Sequence, residues 1–334
     1  MTLIQIEKKC ITFITILAGG ILIGVFLGKK IYTDNFHKEN FEIRENGNYT
    51  YINPLLQCNI GEQYISKSAI SPFKSKISEI VESQKNIKNI SFASVYFRDL
   101  NNGSWFGINE NEKFRPASLL KVLVMIYFLK NEHDNPGILD KKVVYEGENL
   151  GLTQSIEPLN QVEIGKEYSV WELITYMIKY SDNLSTAKLS NMMDDDKFTH
   201  LFDLFDIQRP GNVGKQEFIS VKEYSSFFRI LFNASYVDAE LSEKALSLLN
   251  ETQFFEGLRK SIQSDIKISH KFGEFEFEDG SRQLHDCGIV YYPKRPYLIC
   301  IMTRGGDLNK MSTSIQAISK SVYEEVDRQI NDKK

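Results

Sequence analysis

The sequence predicts an α+β protein, with an antiparallel sheet built from both ends of the folded region, flanking terminal helices and an all-helical subdomain beside it. Three observations favour this class. Strand-like alternation occurs near residues 90–108 and again near residues 267–303. Helical patterns fill the region between these stretches, and further helical stripes lie at both ends. At 334 residues the chain is long enough for one large domain with additional segments.

An apolar run precedes the predicted domain. It extends from Cys10 to Gly28, has 19 uncharged residues with two lysines on either side, and is long enough to span a bilayer. Lysines on both sides do not choose an orientation, but the short tail before the run favours an extracytoplasmic domain. The alternative is a buried helix of the folded domain. The predicted organisation is a cytoplasmic tail (1–9), a transmembrane anchor (10–28), a juxtamembrane spacer (29–70) and a folded domain (71–332).

The first elements of the domain are predicted from local patterns. A helical stripe runs from Ser71 to Ile87, and a strand from Ile90 to Leu100 turns at Asn101-Asn102-Gly103 into a second strand ending at Ile108. The spacer before them lacks sustained periodicity, apart from a short ordered piece near Ile52–Leu56.

The next element is a helix that is buried on all sides. From Leu119 to Leu129 every residue is apolar except Lys121. Two capping-box patterns then start helices, at Ser169 with Glu172 and at Ser220 with Glu223. Further helices are predicted at Asn183–Met193, Phe198–Phe205 and Leu241–Leu249.

The end of the chain returns to strands. The predicted strands are Lys267–Phe277, Gln283–Tyr292 and Tyr297–Thr303, followed by an amphipathic helix from Ser312 to about Ile330. If the last two strands pair around Lys294 and Arg295, Cys287 and Cys300 lie diagonally, which is a poor geometry for a disulfide.

The composition excludes several classes of partner. A net charge of −4 provides no basic field for nucleic acid. The five histidines and four cysteines show no pair at zinc spacing, so we expect neither a metal nor a cofactor.

Ser118 and Lys121 stand out chemically at the start of the buried helix. Their spacing of three places them on one helix face, and a lysine there is costly to bury unless it has partners. A serine hydroxyl becomes a good nucleophile only when a neighbour takes its proton, which a partly neutral lysine can do. The alternative is that Ser118 only caps the helix while Lys121 extends to solvent.

Two further motifs follow in order, Ser181-Asp182-Asn183 and Lys271-Phe272-Gly273. Together with Ser118-x-x-Lys121 they resemble the S-x-x-K, S-D-N and K-T-G elements of class A β-lactamases and penicillin-binding proteins. The resemblance covers roughly residues 71–330.

The resemblance implies a role for each residue. Ser118 would be the nucleophile, Lys121 its base and Ser181 a proton relay to the departing nitrogen. Lys271 would supply positive charge and attract a substrate carboxylate, and Asn183 would hold the acylamino group. The backbone N–H groups of Ser118 and of Glu274, which follows Gly273, would form the oxyanion hole.

Two departures from the family pattern bear on turnover and on substrate binding. No E-x-x-L-N box follows the S-D-N motif, and Glu217 is the nearest carboxylate that could serve as a deacylation base. Phe272 stands where a hydroxyl residue would help to bind a carboxylate, and Arg282 compensates if it points into the site. His285 and Asp286 are adjacent on a strand, point to opposite faces and are interpreted as a core or surface pair.

The predicted function is a membrane-anchored serine hydrolase that cleaves the amide of β-lactams through an acyl-enzyme on Ser118. One alternative is a carboxypeptidase acting on D-alanyl-D-alanine peptides of the cell wall. Another is a penicillin-binding sensor that is acylated without turnover. Its expected partners are therefore a small β-lactam or a cell-wall peptide, and the membrane through the N-terminal helix.

Overall fold

A five-stranded antiparallel sheet lies at the centre of the computed structural model, which describes residues 38–44, 48–64, 70–149, 151, 154–211 and 216–331. The strands in these ranges are β1 (Lys38–Arg44), β2 (Leu55–Tyr64), β3 (Phe92–Asp99), β4 (Trp105–Ile108), β5 (Lys142–Val144), β6 (Glu167–Ser169), β7 (Ile268–Glu276), β8 (Arg282–Val290) and β9 (Tyr297–Gly305). The α-helices are α1 (Ile70–Asn86), α2 (Leu120–Asp134), α3 (Val170–Lys179), α4 (Asn183–Asn191), α5 (Asp195–Asp203), α6 (Val221–Phe232), α7 (Ala239–Asn250) and α8 (Leu308–Asn331).

The sheet combines strands from both ends of the domain, as the sequence predicts. Its order is β4-β3-β9-β8-β7, and every neighbouring pair is antiparallel. Apolar side chains of one face pack against α1 and α8, and those of the other face pack against α2 and the helices around it. The predicted α+β fold is confirmed, with the helical subdomain on one face of the sheet.

Helix α2 occupies the middle of the helical subdomain. Its residues from Lys121 to Leu129 are all buried, because other elements surround it on every side. Both predicted capping boxes form, at Ser169 with Glu172 and at Ser220 with Glu223. These caps fix the starts of α3 and α6, two helices whose buried apolar residues belong to the same core as those of α2.

The prediction about the cysteines is wrong, because Cys287 and Cys300 lie directly opposite each other and form a disulfide with a Cα–Cα distance of 4.0 Å. The turn between β8 and β9 is centred one residue earlier than expected. The N–H of Arg295 donates to the carbonyl of Tyr292 (2.9 Å), so Pro293 and Lys294 are the central residues. Lys294 has φ 64°, which a type II turn requires at this position.

The segment predicted as a spacer contains more structure than expected. Strands β1 and β2 pair as an antiparallel hairpin, and Tyr51 and Ile52 belong to the apolar core of the helical subdomain. Helix α1 begins at Ile70, one residue before the predicted domain boundary. The predicted anchor, residues 10–28, lies outside the described residues, and within the described ranges no helix is long and apolar enough to cross a membrane.

Candidate active site

Ser118 lies in a tight turn that leads into α2. The 3₁₀ turn Ala117–Leu119 precedes the helix, and no side chain caps either element, so Ser118 is not a helix cap. Ala117 adopts φ 48°, a left-handed conformation that is uncommon for a residue with a Cβ atom. Ser118 itself is half-buried. The backbone is therefore held in an unusual shape directly before the predicted nucleophile.

Gly273 on β7 packs directly against this turn. A Cβ atom at this position would lie 2.9 Å from the carbonyl oxygen of Pro116 and 3.1 Å from the amide nitrogen of Leu119. Only glycine allows the strand to approach the turn so closely. This close packing brings the end of β7, with the backbone of Glu274, beside Ser118.

Lys121 is buried one turn after Ser118 and is fully engaged. Its Nζ donates to the carbonyl oxygen of Ser181 (2.6 Å), to Ser181 Oγ (3.2 Å) and to Asn183 Oδ1 (2.8 Å). Burial lowers the pKa of Lys121 to about 7, while the negative charges of Asp182 and Glu274 oppose that shift. The amine does not extend to solvent, and near neutral pH a large fraction of it is uncharged.

The turn between α3 and α4 carries Ser181 and Asn183 to Lys121. Ser181 adopts φ 58°, and the buried Asp182 caps α4 by accepting from the N–H groups of Leu184 (3.0 Å) and Ser185 (2.9 Å). Because the cap fixes the start of α4, it also fixes the direction in which the side chains of Ser181 and Asn183 point.

Lys271 completes the cluster from β7. Its Nζ donates to Ser181 Oγ (2.9 Å) and to the carbonyl oxygen of Phe272 (3.0 Å), and the side chain is completely buried. Burial and the nearby charge of Lys121 lower the pKa of Lys271 well below its ordinary value. Ser181 Oγ thus accepts from two lysines, which leaves its own hydrogen available to a further acceptor.

Glu274 connects β7 to the loop before β6. Its Oε1 accepts from the N–H groups of Ser155 and Ile156, the latter at 3.1 Å. Phe272 faces the opposite side of the sheet, where it stacks on Phe254 with ring centroids 4.2 Å apart. The residue in the middle of the K-T-G-like motif therefore packs in the core, and the centroid of its ring also lies 4.1 Å from Lys271 Nζ.

The prediction for Arg282 is wrong. Arg282 lies opposite Glu276 in the β7–β8 register and forms an ion pair with it at 2.7 Å. Side chains alternate along a strand, so Arg282 and Glu276 belong to the face opposite that of Lys271 and Gly273. Hydrogen bonds therefore bring together Lys121, Ser181, Asn183 and Lys271. Gly273 packs against the turn that carries Ser118, with the backbone of Glu274 alongside, and Arg282 lies outside.

Glu217, the predicted deacylation base, has other partners. Its Oε1 accepts from Gln283 Nε2 and from Arg304 Nη2 (3.1 Å) and Nε (3.3 Å). None of its hydrogen bonds within the described part of the chain reaches Ser118, Lys121 or Ser181. Its role as a base stays a prediction, and the structure places its carboxylate in an ion pair.

His285 and Asp286 do point to opposite faces, and both are buried. His285 Nε2 donates to the carbonyl oxygen of Arg115 (3.0 Å), and burial lowers the pKa of His285 to about 4, so the ring is neutral at pH 7. Asp286 accepts from the N–H of Leu258 (2.8 Å) and contacts His270 Nδ1 (2.8 Å). His285 therefore binds the segment before Ser118, whereas Asp286 binds Leu258 and His270 on the other face of the sheet.

Sequence reasoning missed the side chains around the segment before Ser118. They are Arg115, Gln283 and Arg304, in addition to His285. Strand alternation gives Gln283 and His285 the same face as Cys287, which is a signal that could have found them. Across the described ranges, no group of three or more His, Cys, Asp or Glu residues is arranged to hold a metal ion.

A serine turn packed on a strand, together with two lysines that share a second serine, characterises serine hydrolases of the β-lactamase and penicillin-binding class. The chain belongs to the β-lactamase enzyme family, whose model matches residues 72–326. No curated protein sequence matches it.

Solved structures of similar fold include both β-lactamases and a penicillin-binding protein. A β-lactamase from Chitinophaga pinensis has a TM-score of 0.68 and 20% identity, and the match covers 76% of this chain and 99% of the other. A class A β-lactamase from Mycobacterium abscessus has a TM-score of 0.65, 18% identity and coverage of 75% and 99%. A PBP-A mutant, in an acyl-enzyme complex with penicillin G, has a TM-score of 0.65, 17% identity and coverage of 78% and 97%.

Proposed function

We propose that this protein is a serine hydrolase that opens the amide of β-lactams through an acyl-enzyme on Ser118. The observation that carries the proposal is the shared hydrogen bonding of Lys121 and Lys271 to Ser181 Oγ, at 3.2 and 2.9 Å, one helix turn from Ser118. Burying two amines around one hydroxyl costs free energy that a purely structural role would not explain. They fit a site that moves protons.

The reaction begins with the attack of Ser118 Oγ on the substrate carbonyl carbon. Neutral Lys121 takes the proton of the hydroxyl as the C–O bond forms. The backbone N–H groups of Ser118 and Glu274 then stabilise the negative charge on the carbonyl oxygen. When the C–N bond breaks, the hydroxyl hydrogen of Ser181 passes to the leaving nitrogen, and Ser181 is reprotonated by Lys121 through their contact. When Lys271 is protonated, its charge favours an anionic group of the substrate near the same hydroxyl.

Hydrolysis of the acyl-enzyme then needs an activated water. Glu217 is bound by Gln283 and Arg304, which favours a second candidate function, a penicillin-binding protein that releases the acyl group slowly. In that case the physiological substrate would be a D-alanyl peptide of the cell wall.

A combined acylation and turnover assay tests both candidates. The full chain in detergent would be incubated with a chromogenic β-lactam and with a D-Ala-D-Ala peptide, while intact mass follows the adduct. Steady release of the opened lactam supports a β-lactamase, and a long-lived adduct with slow release supports the penicillin-binding alternative. The Ser118→Ala variant must give neither, and if the wild type gives no adduct and no turnover, the proposal is wrong.

We also propose that residues 10–28 anchor the chain in a membrane with the domain outside the cytoplasm. The uncharged run supports the anchor, and the disulfide between Cys287 and Cys300 supports an oxidising compartment. Deletion of residues 1–30 is expected to release the domain from the membrane fraction. External protease applied to intact cells is expected to digest the domain of the full chain, and protection from protease would contradict the orientation.

A further inference from the structure

The segment that leads into the Ala117–Leu119 turn is held by side chains on both sides of Phe114, whose own backbone pairs with that of Phe218 and Ile219. Arg304 Nη2 donates to the carbonyl oxygen of Lys113 (2.7 Å). The N–H of Arg115 donates to Gln283 Oε1 (3.1 Å), and the carbonyl oxygen of Arg115 accepts from His285 (3.0 Å). Three side chains on the site face of the sheet, those of Gln283 and His285 on β8 and of Arg304 opposite Gln283 on β9, thus help to fix the backbone just before Ser118.

The shape of this backbone depends on such support. Ala117 has φ 48°, and a non-glycine residue keeps a left-handed conformation only where its surroundings impose it. The hydrogen bonds to Lys113 and Arg115 lie two to four residues before Ala117. Ser118 follows directly, so a shift of this segment moves the nucleophile.

Glu217 joins two of these three supports. Its Oε1 accepts from Gln283 Nε2 and from Arg304, while Gln283 Oε1 accepts from Arg115. A carboxylate can only accept and a backbone N–H can only donate, so the two partners together fix which way the Gln283 amide points. Arg304 is also placed by Glu112 (2.7 Å) and lies 4.4 Å over the ring of Phe114.

We propose that Glu217 is a positioning residue for acylation, acting through Gln283 and Arg304 on the segment that presents Ser118. This inference rests on the proposed acyl-enzyme function and deepens it. It assigns the carboxylate to the formation of the acyl-enzyme, whereas a deacylation base would act on its hydrolysis. On replacement of Glu217, a positioning role predicts slower acylation, whereas a base role predicts slower deacylation, and the two rates can be measured separately.

The test compares acylation and deacylation in the full chain carrying Glu217→Gln. The rate of adduct formation with a β-lactam is followed by rapid quench and intact mass, and its decay is followed after the free lactam is removed. If Glu217 is a positioning residue, the substitution should lower the rate of acylation by about tenfold, because small displacements of reacting groups are costly. The rate of adduct decay should stay within about twofold of wild type. Unchanged acylation with much slower decay would overturn the inference and establish Glu217 as the base. Unchanged rates in both steps would overturn it as well.

Exchange of the two side chains provides a rescue that a merely structural role would not predict. In the double variant Glu217→Gln with Gln283→Glu, the new carboxylate can still accept from Arg115 and from the amide at position 217. We expect this exchange to restore acylation to within about threefold of wild type, whereas Gln283→Leu should lower it by about tenfold. Failure of the exchange to restore any acylation would contradict the proposed link between the two residues.

Glu276→Gln is the matched control. Glu276 forms a similar half-exposed pair with Arg282, but on the opposite face of the same sheet. Both rates should remain those of wild type in this variant. If the wild type itself forms no adduct at Ser118, the proposed function fails, and this result is distinct from a failure of the inference.

Discussion

At the residue scale, the buried amine of Lys121 sets the expected pH dependence. Burial lowers its pKa to about 7, and the neutral form is the one that can accept the Ser118 proton. Below that pKa the neutral fraction falls about tenfold per pH unit, so acylation should fall with it. Above that pKa acylation should reach a plateau.

Acylation rates of the wild type measured from about pH 5 to about pH 9 check this prediction. We expect a rise with a midpoint near the pKa of Lys121, and loss of that rise together with most activity in Lys121→Met. A wild-type profile that is flat over this range would show that Lys121 is not the base.

Gly273 permits a second prediction at this scale. A methyl group there would lie 2.9 Å from the Pro116 oxygen and 3.1 Å from the Leu119 nitrogen, both backbone atoms that cannot rotate away. Gly273→Ala should therefore displace the nucleophile turn and lower acylation by tenfold or more, at about 1–3 kcal/mol of stability.

Gly306→Ala serves as its control, since a Cβ atom at that position meets no atom within 4 Å. Adduct formation by intact mass and thermal unfolding would be measured for both variants. Wild-type acylation in Gly273→Ala would show that the close approach of β7 to the turn is not needed for the reaction.

At the scale of elements, helices that depend on local sequence were predicted correctly, whereas the register between neighbouring strands was not. The buried run of α2 and the capping boxes of α3 and α6 depend on neighbours within a few residues, so they can be predicted from the sequence. The three motifs also meet in space as expected. The elements that failed depend on where a turn is centred.

Two turns illustrate the reason. The turn between β7 and β8 closes with the N–H of Phe277 on the carbonyl of Ser281, so three residues lie between its ends, with Gly280 at φ 79°. That turn sets the face on which Arg282 lies, since a shift of one residue in register reverses every side chain. The turn at Pro293 and Lys294 likewise places Cys287 opposite Cys300. The length and position of the turns, and not the composition of the strands, decided both outcomes.

The disulfide gives a prediction at this scale. It links the neighbouring strands β8 and β9 across a sequence separation of 13 residues, a loop whose closure in the unfolded chain is worth ~3 kcal/mol in the chain-entropy account. Reduction, or the double variant Cys287→Ala with Cys300→Ala, should lower the free energy of unfolding by roughly 2–4 kcal/mol.

Denaturant unfolding of oxidised and reduced wild type measures this difference. Because the sheet hydrogen bonds of β8 hold both neighbouring strands in place, acylation of the folded protein should persist after reduction. Equal unfolding midpoints for the two forms would contradict the prediction, because the disulfide would then add no stability beyond that of the sheet.

At the scale of the whole molecule, residues 50–52, which precede the β-lactamase-like domain, are bound to the helical subdomain away from the cluster of lysines. The carboxylate of Glu243 on α7 accepts from the N–H groups of Thr50 (2.7 Å), Tyr51 (2.8 Å) and Ile52 (2.9 Å). The ring of Tyr51 contacts Tyr291, near the start of β7, whereas Gly273 and the Ser118 turn lie toward the other end of that strand. The segment that would connect to the membrane therefore leaves the domain from a surface that does not carry the site.

The hydrogen bonds of Glu243 with residues 50–52 should affect the stability of the protein and not its acylation rate. Glu243→Gln keeps one acceptor oxygen but loses the charge, and hydrogen bonds to a charged group are worth about 1.5–3 kcal/mol each. We expect the variant to lose ~1–2 kcal/mol of unfolding free energy, to be cut faster by protease near residues 48–54, and to be acylated at the wild-type rate. Thermal unfolding, limited proteolysis with mass mapping and adduct formation test the three parts together, with Glu240→Gln on the same helix as control. A fall in acylation without a change in cleavage would show that this surface communicates with the site, and would contradict the separation of attachment from catalysis.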